Sequence, residues 1–266
     1  MSNGLQQTSS KELLGGQVPT LSLLFCRLMS FHLSLLVGLL FLLVPPVCPS
    51  VTAQHSAPSS SIIQDALQPQ FTPPAPGTYT LPPIDTVTDH SLLNTEGQQI
   101  KLFSLTQGKV SVISFMYTAC SDVAGCPLAA AVLQQLDRLL NTRPEIAKQV
   151  QLLSVSFDPE RDTPQHLATV RTTLAPQTDW QFLTVATPGE LQPILTDFNQ
   201  SVAKLWDING EWSGLFRHVL KVYLLDQQHN VRNIYSAGFL NAQLVLNDIE
   251  TILLETSQHS IASPTP

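Results

Sequence analysis

The middle of the chain alternates between apolar segments typical of strands and segments with the period of a helix. From Lys109 to Tyr117 the apolar positions are nearly continuous, which predicts a strand buried on both faces. Beyond Pro127 the apolar residues recur at helical spacing, and proline suits the first helical position because it has no N–H to leave unpaired. We therefore predict a central strand, a short loop and a helix in direct succession.

The same alternation predicts the other elements of a sheet covered by helices. We expect strands at Gln151 to Phe157 and Trp180 to Val185, helices at Pro164 to Leu174, Pro188 to Ala203 and Asn241 to Glu255, and hairpins at Ser91 to Leu105 and Val219 to Tyr235. This is the order of elements in the thioredoxin arrangement. The predicted fold class is α/β, a thioredoxin-like three-layer sandwich with a central mixed sheet and an N-terminal β-hairpin.

An uncharged apolar run, Leu33 to Val44, precedes this domain and ends at two prolines. Its length suits the core of a signal peptide better than a full membrane span, which takes roughly 20 apolar residues. Counted from Met29, which like Met1 is a candidate start residue, the run approaches a short span. Lys11 and Arg27 before it predict that the C-terminal part is exported. We interpret residues 1–53 as a signal peptide or membrane anchor.

The chain changes composition on both sides of the predicted domain. Residues 54–83 are rich in proline and serine, and the prolines favour a semi-extended linker because they block regular structure. Residues 84–256 form the predicted thioredoxin-like domain. Residues 257–266 are polar and are expected to be a disordered tail.

Charge and cysteine content narrow the possible functions. The net charge is −7, from 20 acidic and 13 basic residues, and the basic residues form no run that could follow a phosphate backbone, so nucleic acid is excluded as a partner. Cys26 and Cys48 lie in or beside the apolar N-terminal segment, which leaves Cys120 and Cys126 in the globular part. A pair this close favours a redox or metal-ligand role over a disulfide framework, with a local structural disulfide as the alternative.

The segment between these two cysteines suits both roles. Cys120 follows the predicted strand, and Cys126 begins the predicted helix, where unpaired N–H groups and the helix dipole favour a thiolate. The five residues between them form a loop long enough to direct both sulfurs at one ion, and Gly125 lets the backbone bend. Two thiolates suit a soft ion, and an added imidazole would satisfy three-coordinate Cu(I).

A histidine ligand has to come from elsewhere in the fold. The histidines after the apolar run are His55, His90, His166, His218, His229 and His259. Most surface histidines are simply solvated. His218 differs because it is predicted in a loop directly before the strand Val219 to Leu225, where a thioredoxin fold brings a loop beside the cysteine site. The residues alone leave open whether His218 is a ligand or an ordinary loop residue.

Over residues 89–254 the chain resembles the SCO/SenC family of copper-binding, thioredoxin-fold assembly proteins. The resemblance rests on several segments that are weak singly and specific together: Tyr117 to Cys120, Asp122-Val123, Cys126-Pro127, Ser156 to Pro164, and His218 before Val222 to Asp226. It implies that Cys120, Cys126 and His218 are copper ligands. The chain departs from the commoner pattern by two added residues, Ala124-Gly125, which indicates a divergent subgroup.

The resemblance implies an extracytoplasmic copper metallochaperone that assists assembly of a copper enzyme such as cytochrome c oxidase. The expected partners are a copper-accepting protein, such as an oxidase subunit, and the membrane through the N-terminal segment. The domain is expected to be periplasmic or membrane-anchored outside the cytoplasm. A thiol-disulfide oxidoreductase that reduces partner cysteines through Cys120 and Cys126 is the alternative, and only that function would make the protein an enzyme. Asp122 and the segment Asp158 to Pro164 are expected to shape loops.

Overall fold

The computed structural model describes residues 67–68 and 71–262, which belong to one compact unit. The predicted signal peptide or anchor and half of the predicted linker lie outside these residues, so those assignments stay predictions. Within the described part of the chain, no helix is both long enough and apolar enough to cross a membrane.

Ten strands and six helices make up the described domain. The strands are β1 (Asp85–Thr86), β2 (Ser91–Leu93), β3 (Gln99–Lys101), β4 (Val110–Met116), β5 (Val150–Ser156), β6 (Trp180–Leu183), β7 (Val202–Trp206), β8 (Trp212–His218), β9 (Val222–Leu225) and β10 (Asn230–Tyr235). The helices are α1 (Leu102–Thr106), α2 (Cys126–Asn141), α3 (Pro144–Ala147), α4 (Pro164–Leu174), α5 (Pro188–Asp197) and α6 (Ala242–Ala262).

The central sheet has six strands in the order β1-β10-β9-β4-β5-β6. Strands β4, β5 and β6 are parallel, whereas β9 is antiparallel to β4 and β10 is antiparallel to β9. Val112 of β4 therefore lies between Leu152 of β5 and Leu224 of β9. The predicted central mixed sheet is confirmed, and β2 with β3 forms the predicted N-terminal hairpin.

Alternate residues of the central strands face two separate apolar cores, as the pleat of a sheet requires. Val112 belongs to one core with Leu133 of α2 and Leu246 of α6. Ile113, the next residue of β4, belongs to the other core with Leu195 of α5. Helices therefore cover both faces of the sheet, and the predicted three-layer sandwich is confirmed.

The segment before His218 differs from the prediction. The helix predicted to reach Ala203 ends at Asp197, because Asn199 adopts a left-handed backbone (φ 48°) and the Gln200 N–H closes the helix on Leu195 O at 2.7 Å. Strands β7 and β8 follow as a separate two-stranded hairpin, in which Val202 is paired with His218. His218 is thus the last residue of a strand and not a loop residue.

Both ends of the domain also extend further than predicted. The end of the predicted linker is bound to α6: Gly77 N–H donates to Thr251 Oγ1 at 3.0 Å, and Asn247 Nδ2 donates to Pro74 O at 2.8 Å. Helix α6 continues to Ala262, so the predicted disordered tail is wrong for residues 257–262.

Candidate metal centre

The two cysteines lie at the junction of the central strand with α2. Strand β4 ends at Met116, and after the connecting loop Cys126 is the first residue of α2, followed by Pro127. Asp122 folds this loop: its Oδ1 accepts from Ala124 N–H at 3.1 Å, and its main-chain oxygen accepts from Gly125 N–H at 2.9 Å. A Cβ on Gly125 would lie 3.2 Å from both Asp122 O and Oδ2, so the tight loop favours glycine there.

The β7–β8 hairpin brings His218 to the cysteines. His218 Nε2 lies 3.5 Å from Cys126 Sγ, across 92 positions of sequence. The two sulfurs and a ring nitrogen of His218 all lie within 4.8 Å of one another. Among the described residues, no other group of three or more potential metal ligands lies as close together. Cys126 is 7 % exposed, and Cys120 is more accessible.

Aromatic rings hold the imidazole in this position. The His218 ring centre lies 5.7 Å from that of Tyr117, nearly perpendicular to it, and 5.1 Å from that of Phe157. Phe216, two residues earlier on β8, packs on the same two rings at 5.1 and 5.4 Å. Such contacts add about 0.5–1.5 kcal/mol each beyond simple burial. The hairpin is therefore attached to the domain beside the site through aromatic packing.

The two sulfurs share one proton unequally. The hydrogen bond from the Cys126 thiol, helped by one from His218 and opposed by burial, lowers the pKa of Cys120 to about 4. The same shared proton, together with burial, raises the pKa of Cys126 far above its usual range. The lowered pKa therefore lies on the more accessible Cys120 and the raised pKa on the buried Cys126, the reverse of the order that helix position alone favours.

His218 responds to the Cys120 charge. Its hydrogen bond to Cys120 raises the pKa of the imidazole, and burial opposes this shift. Its Nδ1 lies 3.4 Å from Phe216 O, which leaves Nε2 facing the sulfurs. The metal-free group is thus a thiolate, a thiol and an imidazole that are held together by hydrogen bonds.

The segment Asp158 to Pro164 shapes the loops around the site, as predicted. Asp162 is fully buried, and its carboxylate accepts hydrogen bonds from Thr118 N–H at 3.0 Å, from the Thr118 hydroxyl and from Ser156 Oγ at 2.6 Å. Thr163 caps α4 by accepting from His166 N–H at 3.3 Å. Asp162 therefore ties the start of the cysteine loop to the end of β5.

Arg161 links this segment to the hairpin. Its guanidinium pairs with the buried carboxylate of Asp158 and lies 4.7 Å from the centre of a Trp212 ring on β8. Cation–π contacts of this kind contribute about 0.5–2 kcal/mol, depending on burial. Lys204 of β7 also lies over Trp212, at 4.3 Å. The hairpin thus has a second attachment beside the aromatic one.

The other histidines with described side chains have separate structural roles. His90 Nε2 lies 2.8 Å from Asp197 Oδ2, and His166 Nε2 lies 3.1 Å from Thr118 Oγ1. His229 stacks on Phe103 with ring centres 3.7 Å apart. His55 and the side chain of His259 lie outside the described part of the chain. Sequence reasoning missed the roles of Tyr117, Phe157 and Asp162, although all three lie in segments that it singled out.

The fold and this cluster define a thioredoxin-like domain with two cysteines and one histidine at a common site. The SCO1/SenC family model matches residues 78–254, two thirds of the chain, and the chain therefore belongs to that family.

Solved structures share the fold. A SCO1/SenC family lipoprotein from Bacillus anthracis is 24 % identical with a TM-score of 0.55, covering 66 % of this chain and 99 % of its own. ScoI of Bradyrhizobium japonicum, solved with copper bound, is 22 % identical with a TM-score of 0.50, covering 64 % and 98 %. BsSco, described as a member of the Sco family of cytochrome c oxidase assembly proteins, is 24 % identical with a TM-score of 0.51, covering 66 % and 98 %.

A Stutzerimonas stutzeri protein whose name describes it as copper-binding is a further relative. It is 39 % identical over 64 residues, a stretch that makes up 24 % of this chain and 29 % of the relative. The match thus spans less than a third of that protein.

Proposed function

We propose that the protein is an extracytoplasmic copper-binding metallochaperone that holds the ion through Cys120, Cys126 and His218. The observation that carries this proposal is the approach of two sulfurs and an imidazole nitrogen to within 4.8 Å of one another. Thiolate ligands select soft ions such as Cu(I), and an imidazole also suits copper. The ion is the cargo of the protein, to be passed to a copper enzyme such as cytochrome c oxidase.

The relatives support the choice of copper. ScoI of Bradyrhizobium japonicum has been solved with copper bound, and the Stutzerimonas stutzeri relative is named for copper binding. BsSco is described as one of a family of oxidase assembly proteins, which supports the proposed recipient. The Bacillus anthracis relative is described as a lipoprotein, which supports a membrane-attached location outside the cytoplasm, in keeping with the apolar run before Val44.

The residues of the site have different tasks in taking up an ion. Cys120 is accessible and already charged, so it offers the first ligand to an incoming ion. Cys126 has to release its proton before it can ligate, because the thiolate is the metal-binding form. Two thiolates more than balance the charge of Cu(I), and His218 Nε2 supplies a third, neutral ligand when its proton is lost. Uptake is therefore expected to release protons.

Anaerobic titration with Cu(I), in competition with a chromophoric chelator, tests the ligand set in the reduced full chain. We expect one ion per chain. Cys126→Ser should weaken binding by at least about a hundredfold, since a hydroxyl is a poor ligand for a soft ion, and His218→Ala by about tenfold or more.

His166→Ala is the matched control, because His166 also lies near the cysteine loop but bonds to Thr118. Its affinity should equal that of the wild type. Absence of stoichiometric binding by the wild type would remove the copper function, and an unchanged affinity in His218→Ala would remove the histidine from the ligand set.

A thiol-disulfide oxidoreductase is the second candidate, favoured by the pairing of a thiolate at Cys120 with a thiol at Cys126. This arrangement suits an attacking and a resolving sulfur. The function needs both cysteines but not His218. A reduction potential of the pair below roughly −300 mV, as in a structural disulfide, would be incompatible with it.

A further inference from the structure

A cavity of about 310 Å³ lies beside the cysteine pair, between the central sheet and the helices α2 and α4. Its deepest walls include Leu133, Trp180 and Phe182, each at most 1 % exposed. Cys120 and Cys126 also line it. A molecule in this cavity would therefore lie in a largely apolar space with its edge against the cysteines.

The size of the cavity limits what it can hold. A cavity of roughly 150 Å³ lined by apolar side chains accommodates one benzene ring, and ligand pockets begin at about 300 Å³. The cavity beside the cysteines is about twice the volume of the one-ring case. One or two fused rings fit this volume. The Trp180 and Phe182 rings, which pack on each other 5.1 Å apart at 29°, form part of the apolar floor of the cavity and are each 1 % exposed.

The polarity of the lining further limits the class of ligand that the cavity can bind. No charged side chain lines the cavity, so a charged ligand would be desolvated without compensation. Ser114 and Ser154 are the hydroxyl residues of its sheet wall. Ser154 Oγ accepts from Trp180 Nε1 at 3.0 Å, which leaves its own O–H free to donate to a ligand. A neutral ligand with a hydrogen-bond acceptor matches this lining.

The cavity and His218 approach the sulfurs from different elements. The cavity is bounded by β4, β5, β6, α2 and α4, and no residue of the β7–β8 hairpin lines it. His218 reaches Cys126 from that hairpin. The cavity is therefore separate from the proposed three-ligand set, although it shares the two cysteines with it.

We propose that this cavity is a binding site for a neutral small molecule of one or two rings that carries a hydrogen-bond acceptor. The bound molecule covers the cavity side of the cysteine pair and slows the access of thiol reagents to Cys120. Occupancy of the cavity does not depend on copper.

Coumarin tests this proposal, because it is neutral, planar and two-ringed and has a carbonyl acceptor. Isothermal titration calorimetry on the reduced, metal-free full chain should give saturable binding with a Kd on the order of 100 μM. Coumarin-3-carboxylate, which has the same rings with an added charge, should bind at least about tenfold more weakly. At saturating coumarin, alkylation of Cys120 by iodoacetamide, followed by mass spectrometry, should slow at least about threefold.

Two neighbouring threonines of α4 provide matched variants. Thr173 lines the cavity and Thr172 does not, both are exposed, and each hydroxyl donates to the carbonyl four residues earlier. Thr173→Trp should weaken coumarin binding by at least about tenfold, whereas Thr172→Trp should bind as the wild type does. Both variants should keep the wild-type Cu(I) affinity, which shows that they fold.

Several outcomes would overturn the proposal. One is the absence of saturable heat up to about 2 mM coumarin, well above the expected Kd. The others are an equal loss of coumarin affinity in both tryptophan variants, and coumarin binding that leaves the rate of Cys120 alkylation unchanged. None of these outcomes bears on copper binding, so the cavity proposal and the proposed metallochaperone function are tested independently.

Discussion

The cysteine loop and the β7–β8 hairpin form two halves of one site but are held in place by different forces. The loop joins β4, which is paired with β5 on one edge and β9 on the other, to the buried start of α2. The hairpin is a sheet of two strands only, and several of its apolar side chains face solvent: Leu205, Trp206, Ile208 and Leu215. Hydrogen bonds of the central sheet and of the Asp122 and Asp162 side chains therefore hold the cysteine loop, whereas side-chain packing holds the imidazole.

We therefore expect that the dithiol and the histidine can be perturbed separately. Changes in the aromatic contacts of Phe157 and Phe216 act on His218 without altering β4 and α2, which flank the cysteine loop. Changes around Asp162 act on the start of the cysteine loop. The three predictions below test whether the two halves are as independent as their contacts indicate.

The charge on Cys120 should depend mainly on the cysteine loop. The Cys126 thiol is the largest cause of the lowered Cys120 pKa, which is about 4, so wild-type Cys120 stays a thiolate and keeps reacting with iodoacetamide as the pH falls toward that value. Cys126→Ala removes this donor and should raise the pKa. At pH 6 its alkylation rate should then fall by about tenfold or more relative to wild type, because less thiolate is present.

Mass spectrometry assigns the alkylated residue, and pH–rate profiles give the pKa. His218→Ala should raise the pKa of Cys120 less than Cys126→Ala does, because the His218 hydrogen bond is the smaller cause. A larger shift in His218→Ala would mean that the hairpin, not the loop, controls the charge.

Asp162→Ala should destabilise the domain through the cysteine loop. It removes a buried carboxylate and leaves the Thr118 N–H and the Ser156 hydroxyl without their acceptor, so the free energy of unfolding should fall by about 3 kcal/mol. Urea unfolding measures this change. Glu160→Ala is the control: Glu160 is exposed and pairs with Lys204 at 3.2 Å, so its loss should cost less than about 0.5 kcal/mol. An equal loss of unfolding free energy in the two variants would show that Asp162 does not anchor the cysteine loop.

Phe216→Ala should loosen the hairpin and leave the dithiol intact. Phe216 is half-buried against Tyr117 and Phe157, so its truncation should lower the free energy of unfolding by about 1–2 kcal/mol. Cu(I) affinity should fall to that of His218→Ala and no further, since both sulfurs remain. Leu215→Ala, on the neighbouring exposed position, should retain the wild-type affinity. A loss of Cu(I) affinity as large as that of Cys126→Ser would show that the hairpin also positions the sulfurs.

Much of the central sheet was predictable because its signals are local. The continuous apolar residues of β4 and the helical spacing after Pro127 follow from burial on both faces and from helix periodicity, which act within a few residues. The β7–β8 hairpin was missed although Asn209-Gly210, a strong turn signal, lies between its strands. The anchoring of residues 74–81 was missed because its partners Arg232 and Thr251 lie about 150 residues or more away in sequence.

The fold class and the position of both cysteines at a strand-to-helix junction follow from the amino-acid sequence, because residue type and spacing decide these features locally. The folded structure was needed to show that His218 meets Cys126, since that contact depends on where a separate hairpin packs. It also decided which sulfur carries the charge. Helix position favoured Cys126, but the proton shared between the two sulfurs, together with the deeper burial of Cys126, shifts the charge to Cys120, and both depend on the whole fold.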